Sequence, residues 1–373
     1  NEIVLYQKTP IFITPVEGII LSETTSPLSH VNLLANSWKI PSARIKNAES
    51  KFAKYVGKYI TLTVNEYNYS LKLATKEEIT KVVRREKQKK RIQVPKPDLT
   101  YLAVTPLNKQ RAKDSVRFGA KAANLGEIMY YSRGFSVPDG FSIPFSRYKK
   151  FIRANNLENK ISNLIRDRRF KSDREYRKLK LKEIRKWISN GKLEVRLKNE
   201  VLLAAQKIGY KNKGVFVRSS TNAEDLPDFV GAGLYTTVPN VKDKTRLFNA
   251  IKTVFSSVWN FKAYEAREHF GLDHLQVYPS VLIQVGINAD SAGVMITRSP
   301  FGKMDNNSIY INAKRGLGIK VVEGKNIPEQ ILYDPKNYIT RVLTRSSETR
   351  WFEKNVGKKR PCSIERKEGT VVS

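Results

Sequence analysis

His30 has the residue type and sequence setting best suited to chemistry in this 373-residue chain, which contains three histidines. It follows turn-forming and hydroxyl residues and precedes an apolar segment with helical spacing, in "SPLSHVNLLANSWKIPSA". At the start of a helix, backbone N–H groups and the helix dipole can hold an anion. Imidazole is also a nucleophile at neutral pH. The pattern suits a phosphoryl group carried on the His30 ring, and the alternative is that His30 only caps a helix through a hydrogen bond.

Two cationic side chains occupy positions that suit phosphate binding. Lys121 follows a glycine turn in "FGAKAANLGE", where small residues allow close backbone approach. Arg218 follows the apolar run "GVFV", at the end of a predicted buried strand, and a guanidinium can give a planar multi-donor contact to phosphate. Each motif taken alone has a plainer interpretation. Lys121 could be a surface lysine, and Arg218 could pair with Glu224 or Asp225.

The elements that must position these residues indicate an α/β or α+β protein of more than one domain. Residues 1–75 alternate short β-rich runs with one helical stretch, "HVNLLANSW", and predict a small α/β domain. Residues 76–100 are dense in charge and close on two prolines, which predicts a linker that begins as a solvated helix. Residues 101–373 mix helical and strand signals, including a helix that runs to Gly134 and two apolar strands, "GVFVRSS" and "SVLIQVGI".

The formal net charge of +33 is the most unusual bulk property and predicts attraction to polyanions such as nucleic acid or a phosphorylated polymer. Residues 160–198 form a basic helical region, which is either a solvated helix face or a surface for a phosphate backbone. No apolar run reaches the roughly 18 residues that would span a bilayer, so no membrane partner is predicted.

The remaining histidines and the single cysteine predict neither a zinc site nor a disulfide. His269 and His274 lack a supporting ligand pattern, so they are interpreted as structural residues, and no metal ligand is assigned. Cys362 alone cannot form an internal disulfide, and the first residues do not form a signal peptide. The expected location is the cytoplasm, and the missing initial methionine suggests a piece of a longer chain.

Five stretches taken in order resemble the dikinases, which include pyruvate phosphate dikinase, phosphoenolpyruvate synthase and glucan water dikinase. The stretches are "FGAKAANLGE", "VPDGF", "VRSSTNAEDLP", "LIQVGINADSAGVMITRSP" and "GLGIKVVEGKNIPEQILYD". The resemblance implies an ATP-grasp nucleotide domain of two subdomains over 101–373, incomplete at its C-terminus. It also implies that residues 1–75 are a swivelling phosphohistidine domain, whose "LSHV" and position before the nucleotide domain are similar to the glucan enzymes.

The resemblance assigns roles to individual residues. It implies that His30 takes the β-phosphoryl group of ATP and carries it to an acceptor by rotation of the small domain. Lys121 and Arg218 match positions that hold the nucleotide phosphates, and Gln284 matches a residue near the adenine. The implied cofactors are ATP and Mg²⁺.

Departures from the family pattern leave the acceptor and an alternative function open. Ala120 replaces a glycine, Ile319 replaces a glutamate, and residues 336–373 contain no counterpart of the family's magnesium-binding segment, which we interpret as truncation. The acceptor could be a glucan, as the domain order favours, or pyruvate or water. The alternative is a decayed dikinase scaffold that binds nucleic acid or a ribonucleoprotein through its basic charge.

Overall fold

The computed structural model of the protein describes residues 2–10, 13–23, 30–65, 68–87, 92–226, 229–231, 233–297, 308–318, 328–346, 350–352 and 359–361. Contacts between residues divide the chain into two compact units. The first unit combines residues 1–89 with residues 288–373, and the second consists of residues 90–287. Helices and strands are mixed throughout, which confirms the predicted α/β class.

The α-helices of the described residues are α1 His30–Ser37, α2 Ala48–Phe52, α3 Lys76–Lys87, α4 Ser115–Tyr131, α5 Phe145–Ala154, α6 Leu157–Arg166, α7 Arg168–Ser172, α8 Arg174–Asn190, α9 Val195–Lys207, α10 Tyr210–Lys213, α11 Lys244–Ser257 and α12 Phe261–His269. The strands are β1 Ile3–Tyr6, β2 Gly18–Leu21, β3 Ser42–Arg44, β4 Ile60–Val64, β5 Tyr69–Leu73, β6 Thr105–Pro106, β7 Gly140–Ile143, β8 Val215–Thr221, β9 Asp225–Leu226, β10 Phe229–Val230, β11 Val238–Val241, β12 Pro279–Val285, β13 Ser291–Ile296, β14 Ile309–Arg315, β15 Glu329–Asp334, β16 Ile339–Thr344, β17 Arg350–Phe352 and β18 Lys359–Pro361.

The N-terminal part of the first unit is a small α/β structure. Strands β1, β2 and β3 form a parallel sheet in that order, and β4 pairs with β5 as an antiparallel hairpin. Helix α1 lies where the sequence predicts a helix, and its apolar residues Val31 and Leu34 are buried, as is Trp38 directly after it. Burial of one apolar stripe is what stabilises so short a helix, because an isolated helix of this length is marginal in water.

The C-terminal part of the first unit contains an antiparallel sheet in the order β13-β14-β15-β16. Among the described residues, strand β13 pairs with β14 of this sheet, whereas β12 belongs to the sheet of the second unit. The two units therefore separate between β12 and β13, near residue 288. The sequence interpretation placed its domain boundary at residues 76–100 alone, and a single nucleotide domain over 101–373 stays a prediction.

The second unit contains a five-stranded antiparallel sheet in the order β11-β8-β12-β7-β6. Alternate residues of a strand face opposite sides. In β8, Val215 and Val217 lie on one side and are fully buried, and Arg218 lies on the other. Helix α4 packs on the Arg218 side, where its Phe118 contacts a core cluster that includes Leu282 of β12. The sheet and α4 thus form two layers that hold the predicted site residues.

Helices α5–α12 complete the second unit. In α8, the predicted apolar residues Leu181, Ile184 and Ile188 are fully buried, which confirms the helical reading of this basic region. Helix α4 ends at Tyr131 rather than at the predicted Gly134, because Ser132 has an extended backbone (φ −65°, ψ 129°). None of the helices in the described part of the chain combines the length and apolar character needed to cross a lipid bilayer.

Candidate functional site

The three residues predicted to contact a nucleotide lie on three elements of the second unit that pack together. Lys121 is on α4, Arg218 on β8 and Gln284 on β12. Strands β8 and β12 are paired so that Arg218 lies opposite Leu282 and Gln284 lies opposite Phe216. Because paired residues share a face and residues two apart share a face, Arg218 and Gln284 lie on the side of the sheet that α4 covers.

A glycine kink in α4 brings the backbone of Lys121 close to β8. Gly119 has φ 78° and ψ 159° within the helix, and a Cβ added to it would lie 2.6 Å from the carbonyl oxygen of Ser220. A helix that restarts after a kink has N–H groups without an intrahelical acceptor. The Ser220 hydroxyl accepts one of them, from the backbone N–H of Ala122, at 3.1 Å. The first turn after the kink, which contains Lys121, is thereby fixed to the strand.

Lys121 is tethered by two partners. Its Nζ donates to the carbonyl oxygen of Ser219 at 3.1 Å and forms an ion pair with Glu224. Glu224 is 6% exposed, and its other carboxylate oxygen accepts a bond from the backbone N–H of Thr221 at 3.3 Å. The side chain of Lys121 retains 28% of its exposure. Lys121 is therefore not a solvated surface lysine, and Glu224 forms an ion pair with it.

Arg218 is a largely desolvated cation with a weak neutral partner. It is the fourth of the seven residues of β8, not its last residue as the sequence suggested. Its Nη1 donates to Oε1 of Gln284 at 3.4 Å. Burial lowers the pKa of the Arg218 guanidinium, and the nearby charge of Glu224 acts in the opposite direction. A guanidinium in this setting can gain strongly from an anionic ligand, since low dielectric strengthens the interaction.

Gln284 is oriented from both ends of its amide. Its Oε1 accepts from Arg218, and its Nε2 donates to the carbonyl oxygen of Pro138 at 3.1 Å. Pro138 belongs to the "VPDGF" stretch, in which a Cβ on Gly140 would lie 2.6 Å from the carbonyl oxygen of Ile283. The close approach of β7 to β12 therefore needs glycine at this position and supplies the carbonyl group that orients Gln284.

The site contains three residues that the sequence interpretation did not assign to it: Ser219, Ser220 and Glu224. The stretch "VRSSTNAED" contains all three, together with Arg218. The signal was present as a motif that resembles the family's, but which residue each side chain contacts depends on pairing with α4, about one hundred positions away in the chain. As a whole, the arrangement offers a lysine, an arginine and an oriented amide on one face, which suits a ligand with several negative charges.

His30 belongs to the other unit and is the first residue of α1. Residues 24–29 and the side chain of His30 lie outside the described residues. Ile319, the other position singled out in the sequence, also lies outside them. The position at a helix start agrees with the setting inferred from the sequence, and the role of His30 stays a prediction.

His274 has a structural environment. Its ring stacks on Tyr264 with centroids 3.8 Å apart, its Nδ1 accepts from Nε of Arg267 at 3.2 Å, and its Nε2 lies 2.8 Å from Glu268. These contacts assign the proton to Nε2 of a neutral ring. Burial lowers the pKa of His274 to about 4. In the part of the chain that the structure describes, no group of three or more His, Cys, Asp or Glu side chains is placed to hold a metal ion.

A pocket of about 830 Å³ lies elsewhere in the second unit, between the segment before β6, β7 and α9. Its lining includes Leu102, Phe141, Leu203 and Ile208, with Arg147 at one side. None of Lys121, Arg218 and Gln284 lines this pocket. It is therefore a separate feature from the cluster of predicted site residues, which we take as the candidate site because charged and oriented polar groups converge there.

Comparison with known families gives one match over most of the chain. The model described as "Pyruvate phosphate dikinase, AMP/ATP-binding domain" matches residues 115–371. This range includes Lys121, Arg218 and Gln284 and excludes His30. The match confirms the resemblance stated from the five sequence stretches.

Curated relatives are similar over the same region. The chain is 30% identical over 267 residues to the phosphoenolpyruvate synthase of Pseudomonas aeruginosa, which covers 69% of this chain and 32% of the relative. It is 32% identical over 232 residues to the phosphoenolpyruvate synthase of Escherichia coli, covering 60% and 29%. It is also 32% identical over 228 residues to a probable phosphoenolpyruvate synthase of Methanocaldococcus jannaschii, covering 60% and 19%. The chain thus spans about a third or less of the length of these relatives.

Proposed function

Because the chain belongs to the family of the pyruvate phosphate dikinase AMP/ATP-binding domain, we propose that it is an ATP-dependent phosphotransferase of dikinase type. In this proposal it moves the β-phosphoryl group of ATP through a phosphohistidine at His30 to an acceptor. The observation that carries the proposal is the convergence of Lys121, Arg218 and Gln284, from three distant parts of the chain, on one face of the sheet.

Lys121 and Arg218 would hold and orient the nucleotide phosphates. Phosphoryl transfer depends mainly on positioning and on stabilising negative charge, which a lysine and an arginine supply. Gln284 would lie at the adenine end, where its orientation by Pro138 and Arg218 leaves a fixed amide edge. The kink at Gly119 adds the first turn of a helix segment beside these cations, and such a turn favours an anion.

Glu224 would hold Lys121 in position until a nucleotide binds. Without a nucleotide it neutralises Lys121 and contributes an opposing charge near Arg218. An incoming phosphate would compete with Glu224 for the ammonium group of Lys121, because both are anionic acceptors. The pair therefore keeps the lysine in place before the ligand arrives.

His30 would serve as the nucleophile. Neutral imidazole is abundant near pH 7 and can form a bond from a ring nitrogen to phosphorus. Its position at the first residue of α1 supports the assignment, because helix N-terminal N–H groups favour a phosphoryl group. The bond from the ring nitrogen to the β-phosphorus forms as the bond from that phosphorus to the α,β-bridging oxygen breaks and AMP leaves. Hydrolysis of the β,γ-anhydride bond releases inorganic phosphate, so His30 keeps the β-phosphoryl group and can transfer it to the acceptor.

Magnesium would neutralise charge on the β- and γ-phosphates when bound. The residues that the structure describes include no cluster of carboxylates fit for it, so no step in this proposal uses a metal ligand from the chain.

The acceptor that we would test first is pyruvate. The relatives from Pseudomonas aeruginosa and Escherichia coli are both named phosphoenolpyruvate synthase, and this name supports pyruvate over a glucan. The "LSHV" stretch and the domain order favour a glucan instead. Both acceptors therefore belong in the experiment, together with water.

The test is to incubate the full chain with magnesium and ATP labelled at the β-phosphate, and to measure acid-labile label on the protein. We expect label on the parent protein and on His269→Ala, and none on His30→Ala. The His269 variant is the matched control because it removes a histidine from α12, a helix that contains none of Lys121, Arg218 and Gln284. Labelled protein is then mixed with pyruvate, with a soluble glucan or with buffer, and the product that gains the label identifies the acceptor.

Two results would contradict the proposal. A protein that binds ATP and takes up no label would favour the decayed scaffold that binds a polyanion. Equal label on the parent and on His30→Ala would exclude His30 as the carrier.

A further inference from the structure

Helix α8 has a row of basic side chains that are exposed to solvent. Arg174, Lys178, Lys182 and Lys186 recur every four residues, and all four are exposed. Residues four apart lie on neighbouring turns of the same helix face, with about 6 Å of rise between them. The four side chains, called the α8 basic row below, therefore extend over roughly 18 Å of helix.

The other basic residues of α8 are used inside the protein. Arg177 donates to Glu265 at 2.6 Å, Lys180 bonds to Glu183 at 2.9 Å, and Arg185 donates to the carbonyl oxygen of Trp259 at 2.9 Å. The structure thus divides the seven basic residues of this helix into three with close internal partners and the four of the α8 basic row.

Carboxylates neutralise the charges of the α8 basic row only weakly. Arg174 lies 3.8 Å from Glu265, and Lys178 lies 3.7 Å from Glu175, both at the long end of an ion pair. Neither Lys182 nor Lys186 has an ion pair with any carboxylate that the structure describes. Like charges four residues apart destabilise a helix. A row of four adjacent cations is therefore unfavourable to folding by itself, and an anionic ligand would remove that repulsion.

The surroundings of the row favour a phosphodiester backbone over a membrane. A helix that lies in a membrane surface inserts an apolar face. In α8 that face consists of Leu181, Ile184 and Ile188, which are fully buried in the protein. The exposed side of the helix carries the basic row and a single large apolar side chain, Leu179, which is too little to insert into a bilayer.

The surroundings also argue against a carbohydrate. The aromatic rings beside the row are each covered by a cation: Trp187 by Lys160 at 4.0 Å, Tyr176 by Arg169 at 4.4 Å, and Phe261 by Arg174 at 5.1 Å. A cation over one face of each ring leaves less open aromatic surface for stacking a sugar or a base. A partner would be bound through its charge and without reading its sequence.

We propose that the α8 basic row is a binding surface for the phosphate backbone of a nucleic-acid duplex. Each strand of a duplex carries one charge per 3.4 Å of axis, so a row of about 18 Å faces about five phosphates of one strand. This surface is a part of the basic region 160–198 that the sequence suggested, and it leaves out Arg169, which is held by Asp173 and by the ring of Tyr176. Binding at this surface is independent of the phosphotransfer proposed above.

The test compares two quadruple variants of the full chain. The first changes Arg174, Lys178, Lys182 and Lys186 to glutamine. The control changes Lys192, Lys207, Lys211 and Lys213 to glutamine, which removes the same charge from exposed positions before α9, at its last residue and in α10. Glutamine and lysine have similar helix propensities, so both variants are expected to fold, and circular dichroism melting checks this.

The measurement is the dissociation constant for a 20-base-pair duplex, as RNA and as DNA, at salt concentrations from 50 to 200 mM. We expect the first variant to bind about tenfold or more weakly than the parent and to reduce the slope of log affinity against log salt by about three to four, since each phosphate contact contributes about 0.9. The control should keep the slope of the parent within about one. RNA and DNA should behave alike, because the contacts are to phosphate.

Three results would overturn the proposal. The first is that the variant of the α8 basic row binds the duplex with the same affinity and the same salt slope as the parent protein. Another is an equal loss in both variants, which would assign binding to net charge. The last is binding of anionic lipid vesicles or of a phosphorylated glucan, but not of either duplex, by the parent protein.

Discussion

Arg218 and Lys121 differ in how their charges are balanced, although both lie at the candidate site. Lys121 has a carboxylate partner in Glu224, whereas Arg218 bonds to the neutral amide of Gln284. Taking a cation out of water is unfavourable unless a partner compensates. Arg218 is therefore the residue that gains most when an anionic ligand binds.

The replacement Arg218→Gln should weaken ATP binding by roughly 10- to 100-fold, since a hydrogen bond to a charged group contributes about 1.5 to 3 kcal/mol. Arg218→Lys should recover only part of this loss, because an ammonium cannot form the planar fork. Isothermal titration with ATP measures both. Arg185→Gln is the matched control: burial lowers the pKa of this guanidinium too, but it lies on α8 and donates to Trp259. If Arg185→Gln weakened ATP binding as much as Arg218→Gln, the effect would come from removing a buried arginine in general and not from a contact of Arg218 with ATP.

His274 should make stability depend on pH in a defined window. Its pKa is lowered from 6.5 to about 4, mainly because burial disfavours the charged ring, with Glu268 and Asp273 opposing this and Arg267 adding to it. Between these pH values the unfolded chain binds a proton on this residue that the folded chain does not. The free energy of unfolding should therefore fall as pH falls from 6.5 to 4, by about 3 kcal/mol from this residue.

Urea unfolding of the parent and of His274→Gln at half-unit steps of pH tests this expectation. The variant should have a lower free energy of unfolding at pH 7, because the substitution removes the contacts of the His274 ring. Its free energy of unfolding should also fall less between pH 7 and pH 4. An unchanged decline would mean that other groups produce the pH dependence.

At the scale of elements, the kink in α4 is the feature on which the site depends. It allows one helix to pack along the sheet and also to present the turn containing Lys121 to β8. Only glycine meets both conditions at position 119, the left-handed backbone and the contact with Ser220.

Gly119→Ala should destabilise the protein by about 2 to 4 kcal/mol, because a positive φ costs an alanine about 1 kcal/mol and the forced contact adds about 1 to 3. Gly134→Ala is the matched control: Gly134 has φ 95°, but a Cβ there meets nothing within 4 Å. It should cost about 1 kcal/mol. Urea unfolding gives both values, and an ATP titration should show weaker binding only for the Gly119 variant. Equal costs for the two variants would mean that the contact with Ser220 is not tight.

Element prediction from sequence succeeded where the apolar period was regular. Helix α1, the β-rich runs of residues 1–75 and the helical region that contains α8 all lie where the sequence pattern placed them. The end of α4 was misplaced because nothing in "YYSRG" other than its glycine marks a helix end, and the backbone turns at Ser132 instead. Periodicity fixes which side of an element is buried, but termini depend on individual backbone angles.

At the scale of the molecule, the chain divides into two compact units, and one of them is made of both chain ends. Each unit has its own buried cluster. Ile20 lies in the cluster of the N-terminal part, and Leu282 lies in the cluster beneath α4. Chains with more than one such unit commonly unfold in more than one step.

We expect two transitions in scanning calorimetry of the full chain. Ile20→Ala and Leu282→Ala should each cost about 2 to 5 kcal/mol and should each lower a different transition, because each removes apolar contacts from one unit only. The two variants serve as controls for each other. A single transition that both variants lower alike would show that the two units unfold together.

The sequence by itself determined the class of fold, the family and the identities of the candidate residues. These are properties of short stretches: the alternation along β8, the apolar period of α1 and α8, and motifs such as "VRSSTNAED" and "VPDGF" are all read within a dozen residues. They also gave the basic character of α8, although not which of its cations are free of close partners.

The tertiary structure alone decided the partners. Lys121 meets Glu224 across 103 positions of the chain, and Arg218 meets Gln284 across 66. It also decided that the last third of the chain divides between two units at β12 and β13. Such pairings follow from sheet order and from the packing of α4 on the sheet, which depend on the packing of the unit as a whole, whereas local propensity acts only over neighbouring residues.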